Sequence, residues 1–179
     1  MNTRDLTKIA MCIALSIICA YISFPLPFTP VLITAQTIAI NLIALILKPR
    51  QAFLAVLGYV LIGLCGVPVF SGGMSGLQKL SSPGGGFVFG FLIMAPLVSY
   101  LKGKNNDFKR YALVTAIIGM PIINICGAIQ MSLLMNISIY QSLTMAVFPF
   151  VFGDVLKCFV ASLLAQKLNK LSFINTVEA

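Results

Sequence analysis

"SYLKGKNNDFKRYALV", residues 99–114, is a short polar run with apolar sequence on both sides. It carries Lys102, Lys104, Lys109 and Arg110. Six of the other eight basic residues repeat the arrangement. Arg4 and Lys8 precede the first apolar run, Lys48 and Arg50 separate the second from the third, and Lys167 and Lys170 follow the last. The chain is 59% hydrophobic and 9% charged over 179 residues, whereas a soluble domain carries about 25% charged residues. So few charges cannot cover a water-facing surface. The expected class is an all-α, polytopic integral membrane protein.

Six runs approach the roughly 20 apolar residues that cross a bilayer. They cover about residues 8–24, 31–47, 51–66, 85–101, 110–135 and 141–168. The proline-rich "FPLPFTP" (24–30) breaks the first from the second. With six spans, all four basic clusters fall on one side, and the opposite connections hold only Lys79. The positive-inside rule then puts both termini in the cytoplasm. Residues 1–179 are expected to form a single six-helix transmembrane domain. "SIICAYIS" (16–23) imitates a signal-peptide cleavage region, but further spans follow at once, so the first run reads as a retained helix.

Several function classes fall away. The net charge of +8 is dispersed in small clusters without aromatic interleaving, so nucleic acid is not an expected partner. Cys12, Cys19, Cys65, Cys126 and Cys158 form no CxxC pair, and the chain has no histidine, which excludes a Cys/His metal site. These cysteines read as small hydrophobes. "SSPGGGF" (81–87) lacks the Gly-Lys-Ser/Thr ending of a phosphate loop. Serine proteolysis in its usual form lacks its histidine base. An aspartyl dyad needs two carboxylates, but Asp5, Asp107 and Glu178 lie in segments expected to face water. Phosphoryl transfer lacks its acidic metal ligands. An enzyme is not expected, and neither is a cofactor.

The remaining anomaly is Asp154 with Lys157 in "FVFGDVLKCFV" (150–160). Each charge in mid-membrane costs about 2.5–3.5 kcal/mol on insertion scales. Such groups face an interior or a cavity and mark functional paths. Spacing i, i+3 puts both on one helix face, with Phe152, Val155 and Phe159 turned elsewhere. An ion pair locking the sixth helix is the structural alternative. Thr34, Gln36, Thr37, Asn41, Tyr59, Asn124 and Gln130 are further polar groups in the apolar runs. One acid, one base, amides and aromatic walls suit a small organic molecule with ureido, amide or carboxylate groups. A lone Asp154 equally suits a proton relay in an autonomous carrier for another small solute. The residues alone leave that choice open, with a ligand-free structural subunit as a third reading.

Two more features stand out. "VPVFSGGMSGLQKLSSPGGG" (67–86) holds six of the 14 glycines and is expected to be a partly re-entrant lid over the external face. Ala10 and Ala14 are a small-xxx-small pair, which lets another helix approach closely. No internal repeat is visible, so an inverted-repeat transporter design is not indicated.

The order of motifs resembles the BioY family, the biotin-specific capture subunits (S components) of energy-coupling-factor (ECF) transporters. The resemblance covers nearly the whole chain. It is carried by "PFTPVLITAQT" (27–37), "GVPVFSGGMSGLQKL" (66–80), "SPGGGF" (82–87) and "PFVFGDVLK" (149–157). The third element departs from the family pattern, with Ser82, Gly84 and Phe87 where Gly, Thr or Ser, and Tyr are common. The resemblance implies six transmembrane helices in a prokaryotic plasma membrane and biotin bound from outside. It directs Asp154 and Lys157 toward the biotin head group. Thr34, Gln36, Tyr59, Ser75 and Phe87 join them as candidate substrate-binding residues. It also implies docking, through Ala10 and Ala14, to a transmembrane coupling protein with two ATPases, in contact with membrane lipid.

Overall fold

Proline placement decides where the helices begin and end. The computed structural model describes residues 2–27 and 29–177, with side chains to residue 171; Glu178 lies outside the described residues. Helix α1 (Thr3–Tyr21) stops just before Pro25, Pro27 and Pro30. The chain then folds back as an antiparallel hairpin, β1 (Ser23–Leu26) against β2 (Thr29–Thr34), with Ser23 opposite Thr34 and Phe24 opposite Ile33. The run expected as a second helix from residue 31 therefore opens as a strand, while the described chain is otherwise mostly helical, as the expected all-α membrane class requires. The β-branched Thr29, Val31, Ile33 and Thr34 favour a strand. A two-stranded ribbon consists only of edges, where proline is tolerated.

Helix α2 (Gln36–Ile46) is therefore only 11 residues long, about 16 Å. Nine of those residues are buried, so α2 is the central helix of the bundle. Helix α3 (Pro49–Leu64) begins with proline at its first position, where no N–H is missed. The connection after it holds a 3₁₀ turn (Ser71–Gly73) and the short α4 (Gly76–Leu80) before α5 (Gly85–Leu101). Phe70 is fully buried and Val69 nearly so, so this glycine-rich segment packs onto the bundle.

Helices α6 (Phe108–Val114) and α7 (Met120–Met135) are joined through a π turn (Thr115–Gly119) into one apolar path of 28 residues. The widened turn precedes Pro121, which has no N–H to donate. The sixth expected span is likewise interrupted. Helix α8 (Ile139–Ala146) ends in a 3₁₀ turn (Phe148–Phe150) around Pro149, and α9 (Val151–Val177) starts afresh. Pro149 cannot continue the i→i−4 ladder of α8. Both paths, Phe108–Met135 and Ile139–Leu171, are long and apolar enough to cross a membrane.

The core lies around α2, where Ile40, Ile43 and Leu45 meet Val56 of α3 and Met94 and Val98 of α5. Large apolar side chains also cover the outside: Met11 is 67% exposed, Leu133 72% and Phe152 87%. An apolar exterior on this scale fits hydrocarbon rather than water. Helices α5 and α7 touch through glycine. A Cβ added at Gly90 would lie 2.8 Å from Cα of Ile123, and Gly86 stands four residues earlier on the same face. Gly153 of α9, by contrast, has open space where its Cβ would be.

Gly90→Leu is expected to lower the detergent melting temperature through about 1–3 kcal/mol of overpacking. Gly153→Ala is expected to leave it unchanged or raise it slightly. Thermal unfolding of the two purified variants checks both.

Candidate ligand-binding site

Small residues on α9 determine which way Asp154 points. Cys158, Ala161 and Ala165 are buried along one stripe that packs on α2. Asp154, one turn earlier, extends that stripe and is 7% exposed. Phe152, Val155 and Phe159 leave on the other faces, at 87%, 53% and 47% exposure. Lys157 Nζ donates to Asp154 Oδ1 at 3.2 Å, the one ion pair among the described residues.

Both side chains border a cavity of about 60 Å³. The strand β2 supplies Val31 to Thr34 to its lining. The first turn of α2 adds Gln36 and Thr37, and α5 adds Phe87 and Phe91. Asn124 comes from α7, and Phe150 from the turn around Pro149. The glycine-rich connection contributes Ser71, Lys79 and Gly84. The cavity thus combines one carboxylate, two ammonium groups, two amides and three hydroxyls with aromatic walls. Gln36 Nε2 is buried without a hydrogen-bond partner among the described residues. An orphaned buried donor is rare in folded proteins, and this one belongs to a residue of the lining.

Of the candidates from sequence, Thr34, Gln36, Phe87, Asp154 and Lys157 meet at this cavity. Tyr59 and Ser75 are not among its lining residues. Tyr59 is fully buried beneath it, its ring edge-on to Phe70 at 5.4 Å and its hydroxyl donating to the Val69 carbonyl at 3.3 Å. Ser75 precedes α4 and is half-buried. Asn41 lies in the core, donating to Thr37 O and Cys158 Sγ. Gln130 donates to the carbonyls of Leu80 and Ser82 and so ties the connection to α7. Sequence reasoning did not assign Lys79 or Ser71 to the site. Lys79 is 7% exposed, and its Nζ donates to Ser71 Oγ at 2.8 Å. Burial pushes its pKa down. The available signal was its isolation as the one cation on its side of the predicted topology. Ala10 and Ala14 are exposed on α1, away from the cavity.

The class that fold and site define is a mostly helical membrane protein enclosing a polar cavity. The sequence matches the model of the BioY family over residues 1–173, and the chain belongs to that family. It is 36% identical over 168 residues to a biotin transporter BioY of Thermotoga maritima, covering 94% of this chain and 97% of that one. It is 32% identical over 169 residues to biotin transporter BioY2 of Lactococcus lactis subsp. cremoris, covering 93% and 92%. Its fold is similar to the crystal structure of the S-component for biotin from an ECF-type ABC transporter, with TM-score 0.86, 26% identity and 95% of both chains covered.

Tyr59→Phe removes the bond to Val69, so it is expected to cost about 1 kcal/mol of stability. Ligand affinity should stay within about twofold, because Tyr59 does not line the cavity. Melting temperature and a binding titration on one preparation separate the two effects.

Proposed function

We propose that this chain is the biotin-capturing S component of an ECF-type transporter in the cell membrane. The observation that carries the proposal is the Asp154–Lys157 pair, turned into the cavity of an otherwise apolar bundle. The ureido head of biotin offers two N–H donors and a carbonyl acceptor. Asp154 accepts from the N–H groups, and Lys157, bonded to it at 3.2 Å, holds that carboxylate within reach. Gln36 offers its orphaned N–H to the carbonyl, and Phe87, Phe91 and Phe150 cover the apolar ring and chain. A buried hydrogen-bonding site rejects analogues that lack the matching groups, because its own polar atoms are then left unpaired.

In this reading six passes cross the membrane: α1, β2 with α2, α3, α5, α6 with α7, and α8 with α9. Both termini face the cytoplasm, as the basic clusters favour. The hairpin and the glycine-rich connection form an external lid. A cavity of about 60 Å³ is far below the roughly 300–1,000 Å³ of drug-sized ligand sites, so the lid must withdraw for biotin to enter. Transport is energised elsewhere, by a coupling protein and two ATPases, since this chain carries no phosphate loop. The exposed Ala10 and Ala14 face of α1 is the docking surface.

Asp154→Asn is expected to weaken biotin binding about 10–100-fold, because a hydrogen bond to a charged acceptor is worth about 1.5–3 kcal/mol. Titration of purified, folded variant measures it, and wild-type affinity would remove Asp154 from the site. In liposomes the chain alone should bind biotin without accumulating it, with accumulation appearing when the ATPase module and ATP are added. Accumulation driven by a proton gradient alone would instead make it an autonomous carrier.

Ala14→Trp is expected to abolish biotin uptake in cells while leaving binding to the purified chain unchanged. A parallel loss of binding would show that α1 supports the site rather than a partner.

A further inference from the structure

The charges around the cavity do not balance. Asp154 is paired with Lys157. Lys79 lines the same cavity, is almost completely buried, and has only the neutral Ser71 hydroxyl as a side-chain partner. The other described carboxylates stand elsewhere: Asp5 in the first turn of α1 and Asp107 at the N-terminus of α6. No described carboxylate other than Asp154 borders the cavity. A buried ammonium without a counter-ion is costly, and a protein gains nothing in stability by keeping one.

The surroundings of Lys79 nevertheless hold it in place. Ser82 Oγ donates to the Lys79 carbonyl at 2.7 Å, and Gln130 fixes the turn that follows. Glycine at position 84 leaves room for the ammonium: a Cβ there would lie 3.2 Å from Lys79 Nζ. The lysine is thus positioned at the cavity rather than extended into solvent.

We propose that Lys79, with Ser71, receives the carboxylate of the ligand, so that the site takes a monoanion and reads charge at the end not held by Asp154 and Lys157. One added negative charge brings the cavity to neutrality. An ammonium and a hydroxyl are both donors to a carboxylate, and such charge-assisted bonds are about twice as strong as neutral ones. While the Ser71 hydroxyl donates its hydrogen bond to the ligand, its oxygen still accepts from Lys79. The inference rests on reading the cavity as the biotin site, and it adds a requirement for the free acid.

Biotin and its carboxamide, equal in length and head group but differing in charge, test it by titration of the purified chain. The wild type is expected to bind biotin at least about tenfold more tightly than the carboxamide, a preference worth about 1.4 kcal/mol. Lys79→Gln should erase that preference by weakening biotin alone, and Lys79→Arg should retain it. Ser71→Ala should reduce it while keeping the loop folded. Lys104→Gln, which removes a charge distant from the cavity lining, should leave it intact. Equal wild-type affinity for the two compounds, or an unchanged preference in Lys79→Gln, overturns the assignment of Lys79. A wild type that binds neither compound overturns the biotin reading itself, and this inference with it.

Discussion

A carboxylate inside an apolar bundle must be given a cation and kept from hydrocarbon, and the Asp154–Lys157 pair meets both needs. Its position follows from the stripe of small residues on α9. Because Cys158, Ala161 and Ala165 let α9 lie close against α2, the same face carries Asp154 inward one turn earlier. The bulky residues of α9 can then only point out. Any rotation of α9 that exposed Asp154 would also bury Phe152, now 87% exposed, against a central helix with no room for it.

The second constraint is backbone satisfaction. Inside a membrane, irregular backbone is tolerated where it is buried in protein or lines a cavity. The departures from helix in this chain largely obey that rule. The strand β2, the connection bearing Ser71 and Lys79, and the turn at Phe150 all border the cavity. The π turn sits in the packed path through α6 and α7, where Thr115 is fully buried and its hydroxyl donates to Tyr111 O and Ala112 O. Short α2 is thus no defect. Ending that helix at Gln36 opens the space above it that the hairpin crosses and the polar groups surround.

Membership of the BioY family and the likeness to a biotin S-component agree with this geometry. Position 84 is glycine, and Lys79 Nζ occupies the adjacent space. The glycine-rich connection therefore does more than link α3 to α5. Its backbone is pinned to α7 by Gln130, and its one cation lines the cavity.

Much was legible in the residues alone. Apolar run length and sparse charge set the local cost of transferring each segment into hydrocarbon, and that cost is a property of composition. The same holds for the pairing of Asp154 with Lys157, because i, i+3 neighbours on a helix meet whatever surrounds them. The proline-rich run ending at Pro30 signalled a break but not its outcome, and Pro149 interrupts a run expected to be one continuous span. A strand forms at residues 29–34 only because residues 23–26 return beside it to complete its hydrogen bonds. That Lys79 lines the cavity while Tyr59 and Ser75 do not likewise required the fold. It depends on which segments, distant in sequence, close over the N-terminus of α2, and on where packing leaves a cavity. Local propensity carries no information about such contacts; the burial of Phe70 and the anchoring by Gln130 bring them about.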